Sequence, residues 1–153
     1  MGEHAEIVAC PNCGRKNRVP TIASGVPRCS VPRCSVCHTR LPWIVEADRT
    51  TFEQQLRASV PVLVDFWAPW CGPCRMVSPL VERIGHEHAG QLKVVKLNVD
   101  EAPEISDRYA VRGIPLLVLF RDGSEVTRQV GAIPQPQLNE WLAPYLAQAA
   151  HSP

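Results

Sequence analysis

Residues 62–74 of the chain are VLVDFWAPWCGPC, a nearly continuous apolar run that leads into a pair of cysteines. The run 62–67 is typical of a central strand that is covered on both faces. Cys71 and Cys74 follow where a helix is predicted to begin, and Pro73 occupies an early helical position in which its missing N–H costs little. A strand that delivers two cysteines to a helix N-terminus predicts a redox centre.

The chemistry predicted for these cysteines is thiol–disulfide exchange. Free N–H groups and the positive end of the helix dipole favour an anion, so Cys71 should hold its thiolate more readily than a free cysteine does. Cys74 lies one turn later on the same face, close enough to form a disulfide. Cys71 would attack a substrate disulfide and Cys74 would resolve the mixed disulfide. The alternatives are a zinc pair or two inert buried cysteines, although no second cysteine or histidine pair remains here to complete a metal site.

Outward from this stretch, hydrophobic periodicity predicts the order β-α-β-α-β-α-β-β-α. Thr50 and Glu53 have the spacing of a capping box at a helix start. The helix after the cysteines carries Met76, Leu80 and Ile84 at a spacing of four. The remaining strands are predicted at 43–45, 94–99, 116–120 and 126–130, the last two joined by an Asp-Gly turn, with helices over 103–109 and 138–149. We therefore expect an α/β fold, with helices on both faces of a mixed sheet.

Composition and charge exclude several classes of protein. The 153 residues are 45% hydrophobic and 20% charged, and 16 basic and 15 acidic residues give a net charge of +1. This balance predicts no overall attraction to nucleic acid or to a membrane surface. No window approaches the roughly 18 apolar residues of a membrane-spanning helix, and the first six residues lack the features of a signal peptide. We expect a cytoplasmic protein that acts as a monomer.

The first 42 residues differ from the rest in composition. They contain five of the seven cysteines, and six basic against two acidic residues give them a net charge of +4, whereas ten basic and thirteen acidic residues give the remainder −3. Repeated prolines and few large apolar side chains leave this segment without a hydrophobic core, so it needs another source of stability. We predict two domains, 1–42 and 43–150.

Four of the early cysteines predict that a bound metal stabilises this segment. Cys10 and Cys13 form one CxxC pair and Cys34 and Cys37 a second, with 20 residues between the pairs, as is typical of a zinc ribbon. Each pair presents two thiolates, and two pairs complete a tetrahedron. A filled ligand set predicts a closed, structural zinc site whose metal supplies folding energy. Iron in a four-sulfur site is the main alternative.

Two further features of this segment need an interpretation. Residues 34–38 also spell CxxCH, the pattern of c-type haem attachment, but the second CxxC pair and the lack of an export signal favour no haem. The sequence VPRCS occurs at 26–30 and again at 31–35, which leaves Cys29 as an odd seventh cysteine. We interpret Cys29 as a spare thiol in a longer loop. Competition for the metal or an intermolecular disulfide are the alternatives.

The segment 66–74, FWAPWCGPC, resembles the active-site segment of the thioredoxin family. Further matches follow in the family's order and cover about residues 43–149: Asp65, Pro79, 96–100 (KLNVD), 113–115 (GIP) and 131–132 (GA). Two CxxC pairs ahead of this domain resemble the zinc-bearing bacterial thioredoxin 2 type. The resemblance implies a thioredoxin fold preceded by a small zinc ribbon.

The resemblance also implies roles for individual residues. Asp65 matches an aspartate beneath the redox pair that relays the proton of the second cysteine, and its burial should raise its pKa to suit that task. Lys96 matches the family's lysine near this acid, although a plain solvated lysine fits the sequence nearly as well. Pro115 matches the family's cis-proline, and is followed by Leu116 where many thioredoxins have threonine. The residues implied at the substrate-docking surface are Trp70, Gly113, Ile114, Pro115, Gly131 and Ala132.

These features together predict a protein-disulfide reductase that carries electrons through Cys71 and Cys74. The resemblance implies that a flavin-dependent, NADPH-consuming thioredoxin reductase recharges it and that disulfide-bearing proteins are its clients. A disulfide oxidase or isomerase is the rival within the class, but Gly72 and Pro73 argue against it because the oxidising relatives place other residues there, often a histidine. A zinc-dependent redox sensor or binding module is the alternative from another class.

Overall fold

The computed structural model describes residues 5–20 and 31–150. Cys29 and the first copy of the VPRCS repeat lie outside the described residues. The strands are β1 Ala5–Ala9, β2 Lys16–Pro20, β3 Trp43–Ala47, β4 Val62–Trp67, β5 Lys93–Asn98, β6 Leu116–Arg121 and β7 Ser124–Val130. The helices are α1 Phe52–Gln55, α2 Gly72–Glu87, α3 Pro103–Arg108 and α4 Gln135–Ala150, with a 3₁₀ turn over Val99–Glu101.

Strands β3 to β7 form one mixed sheet in the order β3-β5-β4-β6-β7. The strands β3, β5 and β4 are parallel, whereas β6 runs antiparallel to β4 and β7 antiparallel to β6. Helices separate the parallel strands, as their crossover connections require. The predicted element order and the mixed sheet are confirmed.

The central strand β4 is covered on both faces, as its apolar run predicted. Val64 and Phe66 belong to one buried cluster, and Leu63 belongs to a second cluster, which also contains Val77 and Val81 of α2. Because side chains alternate along a strand, Asp65 shares the face of Leu63 and is turned toward α2.

The predicted apolar stripe of α2 is wrong at its first residue. Met76 is 71% exposed, whereas Cys74, Val77, Val81 and Ile84 are buried. Residues spaced by four drift around a helix of 3.6 residues per turn, so a stripe that stays on one face alternates steps of three and four. Steps of three, four and three connect the buried residues.

Helix α1 begins without the predicted capping box. Thr51 is the N-cap residue, but its side chain caps no helical N–H. Instead, one oxygen of the Asp48 carboxylate accepts hydrogen bonds from the backbone N–H groups of Thr50 and Thr51, at 2.8 and 2.9 Å. Glu53, the expected partner in the box, pairs with Arg108 instead. A charged acceptor two and three residues upstream binds these N–H groups more strongly than a hydroxyl would.

The β6–β7 hairpin has the predicted Asp-Gly turn. Asp122 and Gly123 have φ angles of 52° and 79°. Two successive residues with positive φ define the type I′ turn, whose twist matches that of the strands it joins.

The cysteine-rich segment before β3 is built from two turns and a hairpin. Strands β1 and β2 pair antiparallel around the turn 10–15, and a bridge between Arg33 and Arg40 closes the turn 34–39. Among the described residues of this segment, the buried apolar cluster contains Cys10, Val19, Cys34 and Leu41. So small a core supports the expectation that the segment depends on something other than hydrophobic burial.

This segment joins the sheet at the end opposite the redox cysteines. Trp43, the first residue of β3, pairs with Lys93, the first residue of β5, which also pairs with Val62, the first residue of β4. Cys71 follows the other end of β4. Arg40 lies in the same region, against Gly90 in the loop between α2 and β5.

Among the described residues no helix is long and apolar enough to cross a membrane.

Lys93 is a buried lysine that ties this end of the sheet together. It is 1% exposed, and its Nζ donates to the backbone carbonyl of Gln55 at 2.8 Å and to Gln55 Oε1 at 2.9 Å. The same Nζ lies 4.4 Å from the centroid of the Trp43 ring. Its partners connect the end of α1 to the start of β3 and β5, and its ammonium contributes a cation–π contact.

Replacing Lys93 with alanine is expected to lower the free energy of unfolding by about 3 kcal/mol, because it leaves a cavity and unpaired Gln55 oxygens. Urea unfolding followed by circular dichroism measures this. The exposed Lys16→Ala change is the matched control, with an expected effect within about 0.5 kcal/mol. A loss below about 1 kcal/mol for Lys93→Ala would contradict the prediction.

Candidate functional site

Cys71 and Cys74 form a disulfide at the start of α2. Their Cα atoms are 5.3 Å apart, and the residues are only 3% and 2% exposed. Cys71 is the N-cap residue of the helix, and its Sγ accepts a hydrogen bond from the backbone N–H of Cys74 at 3.2 Å. Gly72 and Pro73 are the first two helical residues. The sulfur of Cys71 therefore lies where the helix amides favour negative charge, which suits a nucleophilic thiolate.

Asp65 is a fully buried carboxylic acid on the face of β4 that α2 covers. Its Oδ2 accepts a hydrogen bond from the hydroxyl of Ser78 at 2.9 Å, and its Oδ1 has no partner among the described residues. Burial raises the pKa of Asp65 to about 6, although the Ser78 hydrogen bond and the charge of Lys96 oppose this rise. Such a group can gain or lose a proton near neutral pH.

Lys96 lies next to Asp65 in the sheet but forms its ion pair elsewhere. The two residues are partners in the β4–β5 register. Lys96 Nζ is 2.6 Å from Glu82 Oε1, and no hydrogen bond from it to Asp65 is found among the described residues. The influence of Lys96 on Asp65 is therefore electrostatic, since its charge lowers the pKa of the acid. Glu82, which the sequence analysis missed, acts in the opposite direction.

The expected docking residues lie around the disulfide. Trp70 is 68% exposed, and its indole Nε1 donates to both carboxylate oxygens of Asp100, at 3.1 and 3.0 Å. The Asp100 carboxylate thereby orients the ring. A groove beside the indole has a mixed apolar and charged lining, formed by Trp70, Val99, Pro103, Ser106, Asp107, Val111, Arg112, Gly113 and Ile114.

The segment around Pro115 completes this surface. The Ile114–Pro115 peptide bond is cis, and Ile114 packs against the buried cluster that contains Cys71 and Cys74. The N–H of Gly131 donates to the carbonyl of Pro115 at 2.9 Å, so that Gly131 and the exposed Ala132 lie beside it. All six residues expected at a docking surface thus lie at the end of the sheet that carries the disulfide.

The other four described cysteines form a compact cluster. The Sγ atoms of Cys10, Cys13, Cys34 and Cys37 all lie within 4.8 Å of one another. Cys10 Sγ is 3.5 Å from Cys37 Sγ, and Cys13 Sγ is 3.6 Å from Cys34 Sγ. A tetrahedral zinc ion with Zn–S bonds of about 2.3 Å requires sulfur separations of about 3.8 Å. Four thiols in this arrangement fit a zinc ion.

Hydrogen bonds around the cluster favour the thiolates of Cys34 and Cys37, whereas burial and the neighbouring thiols raise the pKa of Cys13 to about 11. The N–H groups of Asn12 and Val36 donate to Cys10 and Cys34 Sγ, at 3.4 and 3.5 Å. The Thr39 hydroxyl lies 3.1 Å from Cys37 Sγ, and hydrogen bonds from Thr39 lower the pKa of Cys37 to about 5. Asn12 and Thr39 were not among the residues predicted to take part in the site, although each lies close in sequence to a cysteine of the cluster.

His38 is absent from the group of described side chains that could hold the metal, which is Cys10, Cys13, Cys34 and Cys37. Its backbone N–H donates to the carbonyl of Cys34 at 3.0 Å, and its φ is 64°. His38 therefore closes the second cysteine turn through its backbone.

Comparison with known proteins identifies a family and several relatives of this chain. A sequence model of the family described as thioredoxin matches residues 43–144. Thioredoxin 1 of Nostoc sp. is 50% identical over 98 residues, which cover 63% of this chain and 92% of that protein. Thioredoxin 1 of Synechococcus elongatus is 52% identical over 97 residues, 63% of this chain and 91% of that protein. The chloroplastic M-type thioredoxin of Chlamydomonas reinhardtii is 39% identical over 132 residues, 86% of this chain and 90% of that protein.

The buried Asp65 should make the protein less stable as pH rises. Its pKa is about 6 in the folded protein and 3.8 ordinarily, so the neutral acid favours folding at low pH and this contribution is lost as pH rises through about 6. Asp65→Asn should therefore raise the free energy of unfolding by about 3 kcal/mol at pH 8 and change it little at pH 4. Urea unfolding at the two pH values measures the difference.

Asp48→Asn is the matched control, because Asp48 should have the opposite effect on the pH dependence of stability. The Thr50 side chain and neighbouring N–H groups lower the pKa of Asp48, so its carboxylate stabilises the fold at neutral pH and loses this effect on acidification. Equal effects of Asp65→Asn at pH 4 and pH 8 would contradict the prediction.

Proposed function

The chain belongs to the thioredoxin family, and on that premise we propose that it is a protein-disulfide reductase that carries electrons from a flavin-dependent, NADPH-consuming thioredoxin reductase to disulfide-bearing proteins. It is a thioredoxin-type redox protein, and its family implies disulfide oxidoreductase activity. The observation that carries the proposal is the Cys71–Cys74 disulfide at the N-terminus of α2, inside the part of the chain that matches the family.

The exchange takes place in two steps. In the reduced protein the Cys71 thiolate attacks one sulfur of a client disulfide; that S–S bond breaks, a mixed disulfide forms and the other client sulfur leaves as a thiolate. Cys74 then loses its proton and attacks Cys71 Sγ, which releases the second client thiolate and closes the Cys71–Cys74 disulfide. Two electrons pass to the client, and the recharging reductase returns two.

Asp65 is the base proposed for the second step. Ser78, one turn after Cys74 on α2, donates to the carboxylate of Asp65, so this face of the helix is turned toward the acid. With a pKa of about 6, Asp65 is mostly ionised at neutral pH and can accept the proton of Cys74. Lys96 supports the ionised form through its charge.

Clients are proposed to dock on the surface formed by Trp70, the groove beside it and the 113–115 segment. An extended client strand can pair with backbone groups next to Pro115, because a proline at the start of a strand leaves neighbouring groups unpaired. The small residues Gly113 and Ala132 leave room for the client strand beside the exposed indole of Trp70.

We propose that the N-terminal cluster binds one zinc ion, as in the thioredoxin 2 type of bacteria. When bound, zinc would supply charge neutralisation and a cross-link between the turns 10–15 and 34–39, with no open position for a substrate. Four thiolates need a reducing compartment, which supports a cytoplasmic location. We retain the expectations of a monomer, and of no haem, nucleic-acid or membrane partner.

A reductase should have a Cys71–Cys74 potential near about −270 mV, whereas about −180 to −120 mV would indicate an isomerase or oxidase. Thiol trapping in defined redox buffers, with the metal retained, measures it. Cys71→Ser should abolish turnover, and Cys74→Ser should accumulate mixed disulfides with clients. A Cys71→Ser protein that keeps its full activity, or a Cys74→Ser protein that traps no client, would favour the sensor or binding-module alternative.

The metal proposal predicts one zinc per chain by elemental analysis. Cys34→Ser removes a buried ligand and should lose the zinc and destabilise the N-terminal segment, as shown by faster proteolysis before residue 43. Cys29→Ser is the control and should keep one zinc if Cys29 is a spare thiol. Iron in place of zinc, or zinc retained in full by Cys34→Ser, would contradict the assignment.

A further inference from the structure

The hydroxyl of Ser78 is the hydrogen-bond donor that the structure gives to the buried Asp65. It lies 2.9 Å from Asp65 Oδ2, while Oδ1 has no partner among the described residues. In the part of the chain that the structure describes, the residues paired with Asp65 on the neighbouring strands donate no hydrogen bond to its carboxylate. Leu117 of β6 is apolar, and Lys96 of β5 is held by Glu82 of α2.

The position of Ser78 links this bond to the redox pair. Ser78 follows Cys74 by four residues, so the two side chains are neighbours on one face of α2. A serine inside a helix commonly bonds to the carbonyl four residues earlier in its own helix. Here the hydroxyl instead donates across to β4, and so joins the face that carries Cys74 to the acid.

We propose that Ser78 is a positioning residue for disulfide exchange, which holds Asp65 by one oxygen, leaves the other for the proton of Cys74, and favours the ionised acid. This inference rests on the proposed function. In the step it serves, the proton passes from Cys74 Sγ to Asp65, the Cys74 thiolate bonds to Cys71 Sγ, and the mixed disulfide breaks to release the client thiolate.

The proposal has a defined consequence for pH dependence. The charged groups that face Asp65 are Lys96 from β5 and Glu82 from α2, with the redox cysteines at the end of the same helix. Removing a hydrogen bond to a charged group leaves those charges in place but makes ionisation of the acid less favourable. The pKa of Asp65 should therefore rise when the Ser78 hydroxyl is absent.

The first test uses the full-length, metal-bound, oxidised protein. The ¹³C chemical shift of the Asp65 carboxyl carbon is followed against pH. Ser78→Ala should raise the pKa of Asp65 by about one pH unit. Ser78→Thr keeps the hydroxyl and should restore the original titration. Ser106→Ala removes another buried hydroxyl, one without a partner among the described residues, and should leave the titration of Asp65 unchanged.

The second test measures the exchange step itself. In the full-length reduced protein, Cys71 is converted to a mixed disulfide with thionitrobenzoate, and release of the coloured thiolate by Cys74 is timed between pH 5 and 9. Ser78→Ala should slow release about threefold at pH 6.5 and leave it unchanged at pH 9, because the fraction of ionised Asp65 falls only at the lower pH. Ser78→Thr should recover the wild-type profile.

The outcomes separate this inference from the proposed function. An unchanged Asp65 titration in Ser78→Ala overturns the inference, and so does a shifted titration with an unchanged release profile. Both readouts are independent of any client or reductase. Failure of the wild-type protein to reduce insulin disulfides with NADPH and a thioredoxin reductase would instead overturn the proposed function.

Discussion

The pairing of β4 with β5 on one side and β6 on the other constrains the rest of the structure. A strand bonded at both edges and covered on both faces has a fixed direction, so its end fixes where α2 begins and where Cys71 lies. The same burial shields the carboxylate of Asp65 from solvent. Its pKa of about 6 is therefore a product of the sheet as much as of its neighbours.

Parts of the fold and site that depend on local sequence could be predicted. The structural reason for the run 62–67, for the Asp-Gly turn and for each CxxC pair lies within a few residues of sequence. Asp65 could be identified as a candidate site residue because an acid within an apolar strand is unusual. A helical wheel would also have placed the hydroxyl of Ser78, a hydrogen-bond donor, on the same face of α2 as Cys74.

Other features depend on contacts that are distant in sequence. Lys93 looks like an ordinary strand lysine until Gln55 and Trp43 are placed around it. The pairing of Lys96 with Glu82 depends on how α2 crosses β5. Met76 was wrongly predicted to face the core. Apolar residues spaced by four drift around the helix, and this drift turns Met76 toward solvent. In each case, tertiary packing decides between arrangements that the local pattern allows equally.

The attachment of the cysteine-rich segment at the far end of the sheet has a kinetic consequence. The segment joins at Trp43, in register with the start of β4, whereas Cys71 follows its other end, so the length of a six-residue strand, about 20 Å, lies between the two ends. Disulfide exchange requires sulfur atoms in contact. If two of the four clustered thiols formed a disulfide, the redox pair of the same molecule could not reach it, and reduction by this protein would need a second copy. Such repair is second order in the protein, so it would slow with the square of the dilution.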